Sequence, residues 1–114
     1  MDFLQILKVI CAVGTLATGL FALLRPLAVR GFTGLEAPGP RGVTELRTIM
    51  GGLFIGLGVA PLLLPVPAAF QMLGIAYGTM AAVRAVSIVM DHSAEPSNLI
   101  SLVVEVVFGV ILVV

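Results

Sequence analysis

Charged side chains are scarce in this chain. Only 11% of its 114 residues are Asp, Glu, Lys or Arg, whereas a soluble domain carries about 25%. Because so few charges cannot cover a surface that faces water, the composition excludes an ordinary soluble domain and favours a protein whose solvent is lipid. The short length and the lack of a polar linker predict a single membrane domain over residues 1–114.

Cysteine and histidine are almost absent, and the charges that are present cancel. With Cys11 as the only cysteine and one histidine, the sequence allows no internal disulfide and no Cys/His metal spacing. Six positive and six negative residues give a net charge of zero, without the basic patch and interleaved aromatic residues of a nucleic-acid binder. Asp91, His92 and Glu95 fall in one short polar loop and are interpreted as solvated. We therefore expect no metal, no cofactor and no nucleic acid partner.

Motifs of catalysis are missing as well. The sequence contains no nucleophile elbow, phosphate-binding loop or zinc-binding helix. Ser87 and Ser101 have no histidine at their depth in the predicted helices. These absences predict that the protein is not an enzyme, and the one alternative left open is an enzyme that works on a lipid.

Most of the chain is apolar. Apolar residues make up 60% of the chain, with a mean hydropathy of +1.21. Four apolar stretches each approach the roughly 20 residues that cross a bilayer: about 3–24, 44–64, 68–90 and 98–114. They predict an all-α fold, a four-helix transmembrane bundle with antiparallel hairpins and short loops.

The connections between these stretches differ in length and charge. Residues 65–67, Pro-Val-Pro, predict a tight turn between the second and third helices. The third connection is short and polar, and Ser97 or Asn98 can cap the helix that follows. The first connection is longer, and its front half mixes arginine with apolar residues, which is typical of a segment in the headgroup layer.

Arginine is confined to one side of the predicted fold. Arg25, Arg30 and Arg41 lie in the first connection, whereas the second connection and the C-terminus have none. Positive residues in short loops stay in the cytoplasm. We therefore predict a multi-pass protein of the inner (plasma) membrane with both termini outside and the first and third loops in the cytoplasm.

A polar stripe crosses the third apolar stretch. Tyr77, Arg84 and Asp91 follow at intervals of seven and share one helix face. Glu105 lies in the fourth stretch, as far from the intervening turn as Arg84. Because residues equally far from a turn stand at equal depth in an antiparallel hairpin, we predict that Arg84 pairs with Glu105. For Tyr77, a hydrogen bond to a backbone carbonyl and a ligand contact are both open.

Two more charges are predicted near the same depth. The register across the second connection places Glu45 and Arg47 within a turn of the level of Arg84, about 10 Å inside the boundary. A charge that faces lipid costs about 3 kcal/mol, so we expect all these charges to converge inside the bundle. The cluster is either an ion-pair network that fixes helix packing or a polar site for a ligand or a proton; docking to a partner subunit is a third reading.

Glycines are spaced for close helix packing. Gly52 and Gly56, and likewise Gly74 and Gly78, form G-x-x-x-G pairs, which let helix backbones approach in lipid. Gly51 lies beside the first pair. These five glycines are predicted to line helix contacts.

Several of these residues also carry a family resemblance. The segments "TELRTIMGGLFIGLG" and "RAVSIVMDHSAEPS", with a glutamate in the last helix, resemble a family of small bacterial four-helix membrane proteins of unknown function. The chain is more loosely similar to the DoxX-like group. The resemblance covers about residues 40–114 and implies the fold without an established activity. The residues that match are Glu45, Arg47, Gly51, Gly52, Arg84, Ser87, Asp91 and Glu105.

A different family of similar length fits less well. Small multidrug transporters rely on a glutamate in the first helix and on tryptophan, whereas this chain has Lys8 in the first helix and no tryptophan.

Three functions follow from this pattern. The first is binding or carrying a small amphipathic or apolar, lipid-like molecule, with its polar end at Arg84 and Glu105. The second is an accessory or scaffold subunit of a larger membrane complex. The third is a proton-coupled small transporter that works as a dimer. The bilayer is the expected partner in each case, and association of several copies is left open.

Overall fold

The computed structural model describes the whole chain, Met1–Val114. It is helical without strands, and four helical spans are long and apolar enough to cross a membrane, which confirms the predicted all-α fold class. At most 33% of the most hydrophobic window of any span is buried inside the protein, so most of their apolar surface is available to lipid. The spans are Phe3–Leu24, Pro40–Leu63, Pro67–Asp91 and Pro96–Val113.

Helix α1, Phe3–Leu24, begins with a side-chain cap, and the other three spans begin with proline. The Asp2 carboxylate accepts a hydrogen bond of 2.8 Å from the Gln5 N–H. Proline suits the first helical position because the N–H that it lacks would have no partner there. The second span therefore begins at Pro40, four residues before the predicted start at 44.

The start of the last helix, α6 (Pro96–Val113), corrects a sequence prediction. Pro96 occupies its first turn and Glu95 stands at the N-cap position, without a side-chain cap. Ser97 and Asn98 were predicted as caps, but they lie inside the helix, because the proline begins it before them.

The second span has three parts: α3 (Pro40–Glu45), a π-helical segment (Leu46–Leu53) and α4 (Phe54–Leu63). π-helices are rare, usually a single turn, and often lie at functional sites. This one has 8 residues and was not predicted. In α4, Pro61 supplies no N–H to the helix ladder, as expected for a bend.

The first connection contains more helix than its sequence suggested. A 3-10 turn, Pro26–Val29, leads into the short helix α2, Arg30–Thr33. Leu27 and Phe32 are exposed, as expected for a segment that lies in the headgroup layer. The Arg30 guanidinium pairs with Glu36 at 3.4 Å on the exposed side.

The chain divides into two compact units, residues 9–64 and residues 1–8 with 65–114, which we call the N-unit and the C-unit. In the N-unit, α1 and the second span run antiparallel with their backbones in contact. A Cβ atom on Gly58 would lie 2.5 Å from the Leu16 nitrogen, and one on Gly19 would lie 2.6 Å from the Ile55 nitrogen. Only glycine permits this approach.

The glycines that were predicted to pack in this unit divide into two groups. A Cβ atom on Gly51 would lie 3.1 Å from the Leu23 Cβ atom, so Gly51 faces α1. Gly52 and Gly56 contact no neighbouring helix of the N-unit. The residue of the second span that packs closely on α1 is Gly58, because it lies on the helix face that is turned towards α1.

In the C-unit, α5 (Pro67–Asp91) packs along α6 in the opposite direction. Added Cβ atoms would lie 2.8 Å from the Leu112 Cβ atom at Gly74 and 3.3 Å from the Gly78 nitrogen at Gly109. Tyr77 is buried, and its ring meets Phe108 edge-on at a centroid distance of 5.3 Å. Tyr77 therefore contributes to the packing of the two helices.

A left-handed residue ends α5. His92 has a φ of 52°, and the Ser93 N–H donates to the Ile88 carbonyl at 3.1 Å. This bond from residue i to the carbonyl of residue i−5 is characteristic of a Schellman motif. The motif directs the chain into the short connection before α6.

Candidate functional site

A bidentate ion pair joins the two helices of the C-unit. The Nε and Nη2 atoms of Arg84 on α5 donate to the two carboxylate oxygens of Glu105 on α6 at 2.7 and 2.8 Å. Only 5% of the Glu105 side chain is exposed, against 33% of the Arg84 side chain. The predicted pairing of Arg84 with Glu105 is confirmed. The planar guanidinium suits this geometry because its N–H groups match a carboxylate in pairs.

Asn98 extends the ion pair to the end of the helix hairpin. Its Oδ1 atom accepts from Arg84 Nη1 at 2.8 Å, and its Nδ2 atom donates to the Ser93 carbonyl at 2.9 Å. The amide thereby holds both the guanidinium and the connection between α5 and α6. Sequence reasoning missed this role, although Asn98 lies seven residues before Glu105 and so on the same helix face.

An open groove of about 430 Å³ runs along the C-unit beside Arg84. We call it the Arg84 groove. Its lining on α5 extends from Asp91 to Thr79, a rise of about 18 Å along the helix axis. One end is polar and the other mainly apolar, since Met80 and Val83 lie deeper than the charged residues. The lining residues are Thr79, Met80, Val83, Arg84, Ser87, Asp91, Ser93 and Asn98.

Two groups in the polar end of the Arg84 groove have no partner in the protein. The Ser87 hydroxyl and the exposed Asp91 carboxylate make neither a hydrogen bond nor an ion pair. Glu105 neutralises Arg84, so Asp91 leaves the polar end with one uncompensated negative charge. This end therefore favours a ligand that donates hydrogen bonds or carries a positive charge over an anion.

Glu45 and Arg47 lie in the N-unit, on either side of the junction between α3 and the π-helical segment. The Glu45 carboxylate accepts a hydrogen bond from Arg41, four residues earlier on the same exposed helix face. Arg47 is exposed and pairs with no carboxylate of its own unit. The convergence of Glu45 and Arg47 with Arg84 stays a prediction. The local Arg41–Glu45 pair was missed, although its i, i+4 spacing is a recognised signal.

Metal-binding side chains do not gather anywhere in the chain. No group of three or more His, Cys, Asp or Glu residues is arranged to hold an ion. Asp91, His92 and Glu95 thus share one loop without forming a cluster.

Comparison with known proteins gives one match. A family model described as "Domain of unknown function (DUF4345)" matches residues 3–114. No curated protein and no solved structure matches the chain. The match covers both units and agrees with the predicted resemblance to a membrane-protein family of unknown function, whereas the looser likeness to the DoxX-like group stays a prediction.

Proposed function

Since the chain belongs to the DUF4345 family, whose function is unknown, we propose a function from the geometry of its C-unit. The protein is an integral membrane protein that binds a small amphipathic molecule in the Arg84 groove. Its role is binding or carrying and not catalysis. The head of the ligand carries an amine or a hydroxyl group, and its apolar part lies along α5 towards Thr79.

The observation that carries this proposal is the change of polarity along the groove. The unpartnered oxygens of Ser87 and Asp91 lie near the helix end, and Met80 and Val83 follow deeper in the span. An amphipathic molecule in a bilayer has the same polarity, with its head at the boundary and its tail in the hydrocarbon.

The residues of the groove have separate roles in this proposal. Asp91 accepts from the ligand head and Ser87 supplies a second hydrogen bond. Arg84 lines the groove and is not the main contact of the ligand, because three of its five N–H donors already bond Glu105 and Asn98. The ion pair keeps the groove open at constant width, while Asp91 selects the head.

Extraction of the purified protein followed by mass spectrometry tests the proposal. The wild type should carry an enriched amphipathic amine or alcohol, and Asp91→Asn should retain about ten-fold less of it, since a hydrogen bond to a charged group contributes about 1.5–3 kcal/mol. Val83→Trp should also empty the groove by filling its apolar part. Glu95→Gln is the matched control, because it removes a nearby exposed carboxylate that does not line the groove.

Two results would contradict the proposal. One is a wild-type protein that carries no such molecule above the level in an empty-membrane control. The other is retention of the molecule at the wild-type level by both Asp91→Asn and Val83→Trp. Both variants alter exposed positions, so loss of folding does not obscure the comparison.

A second candidate function rests on the opposite face of the same helix pair. A groove of about 450 Å³ is lined by Gly74, Gly78 and Gly109 with apolar neighbours, and a Cβ atom on Gly78 would meet nothing within 4 Å. A glycine surface of this kind accepts another transmembrane helix. This candidate is the scaffold or dimer alternative, and Gly78→Ile should then abolish cross-linking between subunits without emptying the Arg84 groove.

A further inference from the structure

Two arginines of the N-unit have no acidic partner. The unit contains four arginines and two glutamates, so its net charge is 4 − 2 = +2. Arg30 pairs with Glu36 and Arg41 pairs with Glu45. No other carboxylate belongs to this unit, which leaves Arg25 and Arg47 uncompensated.

Arg25 and Arg47 line the same groove. It has a volume of about 410 Å³ and lies between the end of α1, the 3-10 turn and the start of the second span. We call it the Arg25 groove. Its other lining residues are apolar or small: Leu24, Pro26, Leu27, Ala28 and Val43. Both arginines thus border one groove, and no carboxylate of the unit is left to accept hydrogen bonds from their guanidinium groups.

The position of these arginines favours an anionic partner. Arg25 directly follows α1, at the predicted boundary of the membrane. Arg47 lies seven residues inside a span that begins at Pro40, or about 10 Å along the helix axis. An exposed arginine this close to a helix end extends its side chain to the interface, where anionic headgroups can supply the counter-charge that its own unit lacks. The π-helical segment that contains Arg47 is the kind of irregularity that often lies at binding sites.

We propose that the Arg25 groove binds a phosphate group through Arg25 and Arg47. Arginine suits phosphate because its planar fork forms two parallel charge-assisted hydrogen bonds. Leu24 and Leu27 add an apolar wall beside the arginines, against which the acyl chains of a phospholipid can lie. Basic pockets beside transmembrane helices at the cytoplasmic boundary are known binding sites for anionic lipids.

This site is independent of the function proposed for the Arg84 groove. It lies in the other unit, involves different residues, and selects an anion where the Arg84 groove favours a donor or a cation. Either proposal can fail without affecting the other.

Native mass spectrometry of the full-length protein tests the lipid source. The probes are phosphatidylglycerol and phosphatidylcholine with identical acyl chains, mixed in equal amounts. The wild type should retain phosphatidylglycerol preferentially. Arg25→Gln and Arg47→Gln should each weaken that retention about five-fold, and the double variant about thirty-fold, because one basic residue near an anionic membrane surface contributes about 1 kcal/mol.

Arg30→Gln is the matched control for these variants. It removes the same charge from the same connection, but its guanidinium already pairs with Glu36 and it does not line the Arg25 groove. Its phosphatidylglycerol retention should stay within about two-fold of the wild type. Arg25 lies outside the helices and is exposed, so Arg25→Gln keeps the test valid even where Arg47→Gln reduces folding.

Thermal unfolding in detergent with inorganic phosphate or chloride, at matched ionic strength, tests the soluble source. Stabilisation of the wild type by phosphate, absent in the double variant, supports the site with a soluble phosphate as its ligand. Preference for phosphatidylglycerol alone supports it with a lipid headgroup. The proposal is overturned if neither probe distinguishes the wild type from the double variant, or if Arg30→Gln loses as much as Arg47→Gln.

Discussion

Arg84 can stand in an apolar helix because neighbouring side chains match its charge and its donors. Glu105 supplies two acceptors and the counter-charge, and Asn98 supplies a third acceptor. The partners differ in exposure, since Glu105 is almost completely buried whereas a third of Arg84 is accessible. The two single substitutions should therefore differ in cost. Removing Arg84 leaves an unpaired charge that is buried, whereas removing Glu105 leaves one that is partly accessible.

We expect Arg84→Ala to reduce the free energy of unfolding by about 3–5 kcal/mol, because it leaves Glu105 buried without a partner. Glu105→Ala should cost less, about 2 kcal/mol, since the accessible Arg84 keeps its bond to Asn98. The double variant should be more stable than the sum of the two losses predicts, because no charge is left behind. Equilibrium unfolding in detergent measures all three.

Glu95→Ala provides the control for this cycle and should change stability by less than about 0.5 kcal/mol, since Glu95 is exposed and unpaired. Strictly additive losses from Arg84→Ala and Glu105→Ala would mean that the ion pair contributes nothing as a pair.

At the scale of the elements, glycine positions decide how closely the helices approach. In the N-unit, Gly19 and Gly58 allow backbone contact between α1 and the second span, whereas Gly56 has no neighbour within 4 Å. Gly56 and Gly58 both lie in α4, two residues and therefore about 200° apart around the helix, so only Gly58 faces α1. The G-x-x-x-G spacing alone therefore does not identify the glycines that approach α1 in this unit, and the packing of Gly52 and Gly56 on another helix stays a prediction.

Gly58→Ala and Gly56→Ala form a matched pair for this geometry. The Cβ atom of Ala at 58 would lie 2.5 Å from the Leu16 nitrogen and 2.7 Å from the Ala12 carbonyl oxygen, so we expect a loss of about 1–3 kcal/mol. Gly56→Ala meets nothing and should be neutral or stabilising by up to about 1 kcal/mol, because alanine favours helix. Equal thermal stabilities of the two variants would show that α1 does not pack on this face.

At the scale of the whole molecule, lipid must cover most of the surface. At most 33% of the apolar window of any span is buried inside the protein, and large apolar side chains such as Val89 and Met90 are more than 70% exposed. The few charges lie mainly near helix ends and in connections. Their distribution also determines which side of the membrane each connection occupies.

We expect both termini to lie outside the cytoplasm. Arg25 and Arg30 stand between the first two spans and Arg41 lies in the first turn of the second, whereas the second connection has no positive residue. A C-terminal fusion to an enzyme that folds only outside the cytoplasm should therefore be active, and a fusion to a fluorescent protein that folds only inside should be dark. The opposite pattern would refute this orientation. Moving the three arginines into the second connection is the control, and it should invert both signals.

The sequence by itself determined the class of the protein and the level of its central ion pair. Scarce charge and four apolar stretches are properties of composition, and they predict membrane helices whatever the packing. The pairing of Arg84 with Glu105 needed only the depth of each residue from the turn, because the cost of an unpaired charge leaves few alternatives in an antiparallel hairpin.

The tertiary structure decided everything that depends on the rotation of a helix or the reach of a side chain. Asn98 bonds Arg84 and does not cap a helix, and Glu45 pairs with Arg41. The glycine that approaches α1 closely is Gly58 and not Gly56. A helix turns by about 100° per residue, so two residues as close in sequence as Gly56 and Gly58 face nearly opposite sides of one helix. Residue spacing predicts which residues share a face of a regular α-helix, whereas contacts also depend on how that helix is rotated against its neighbour.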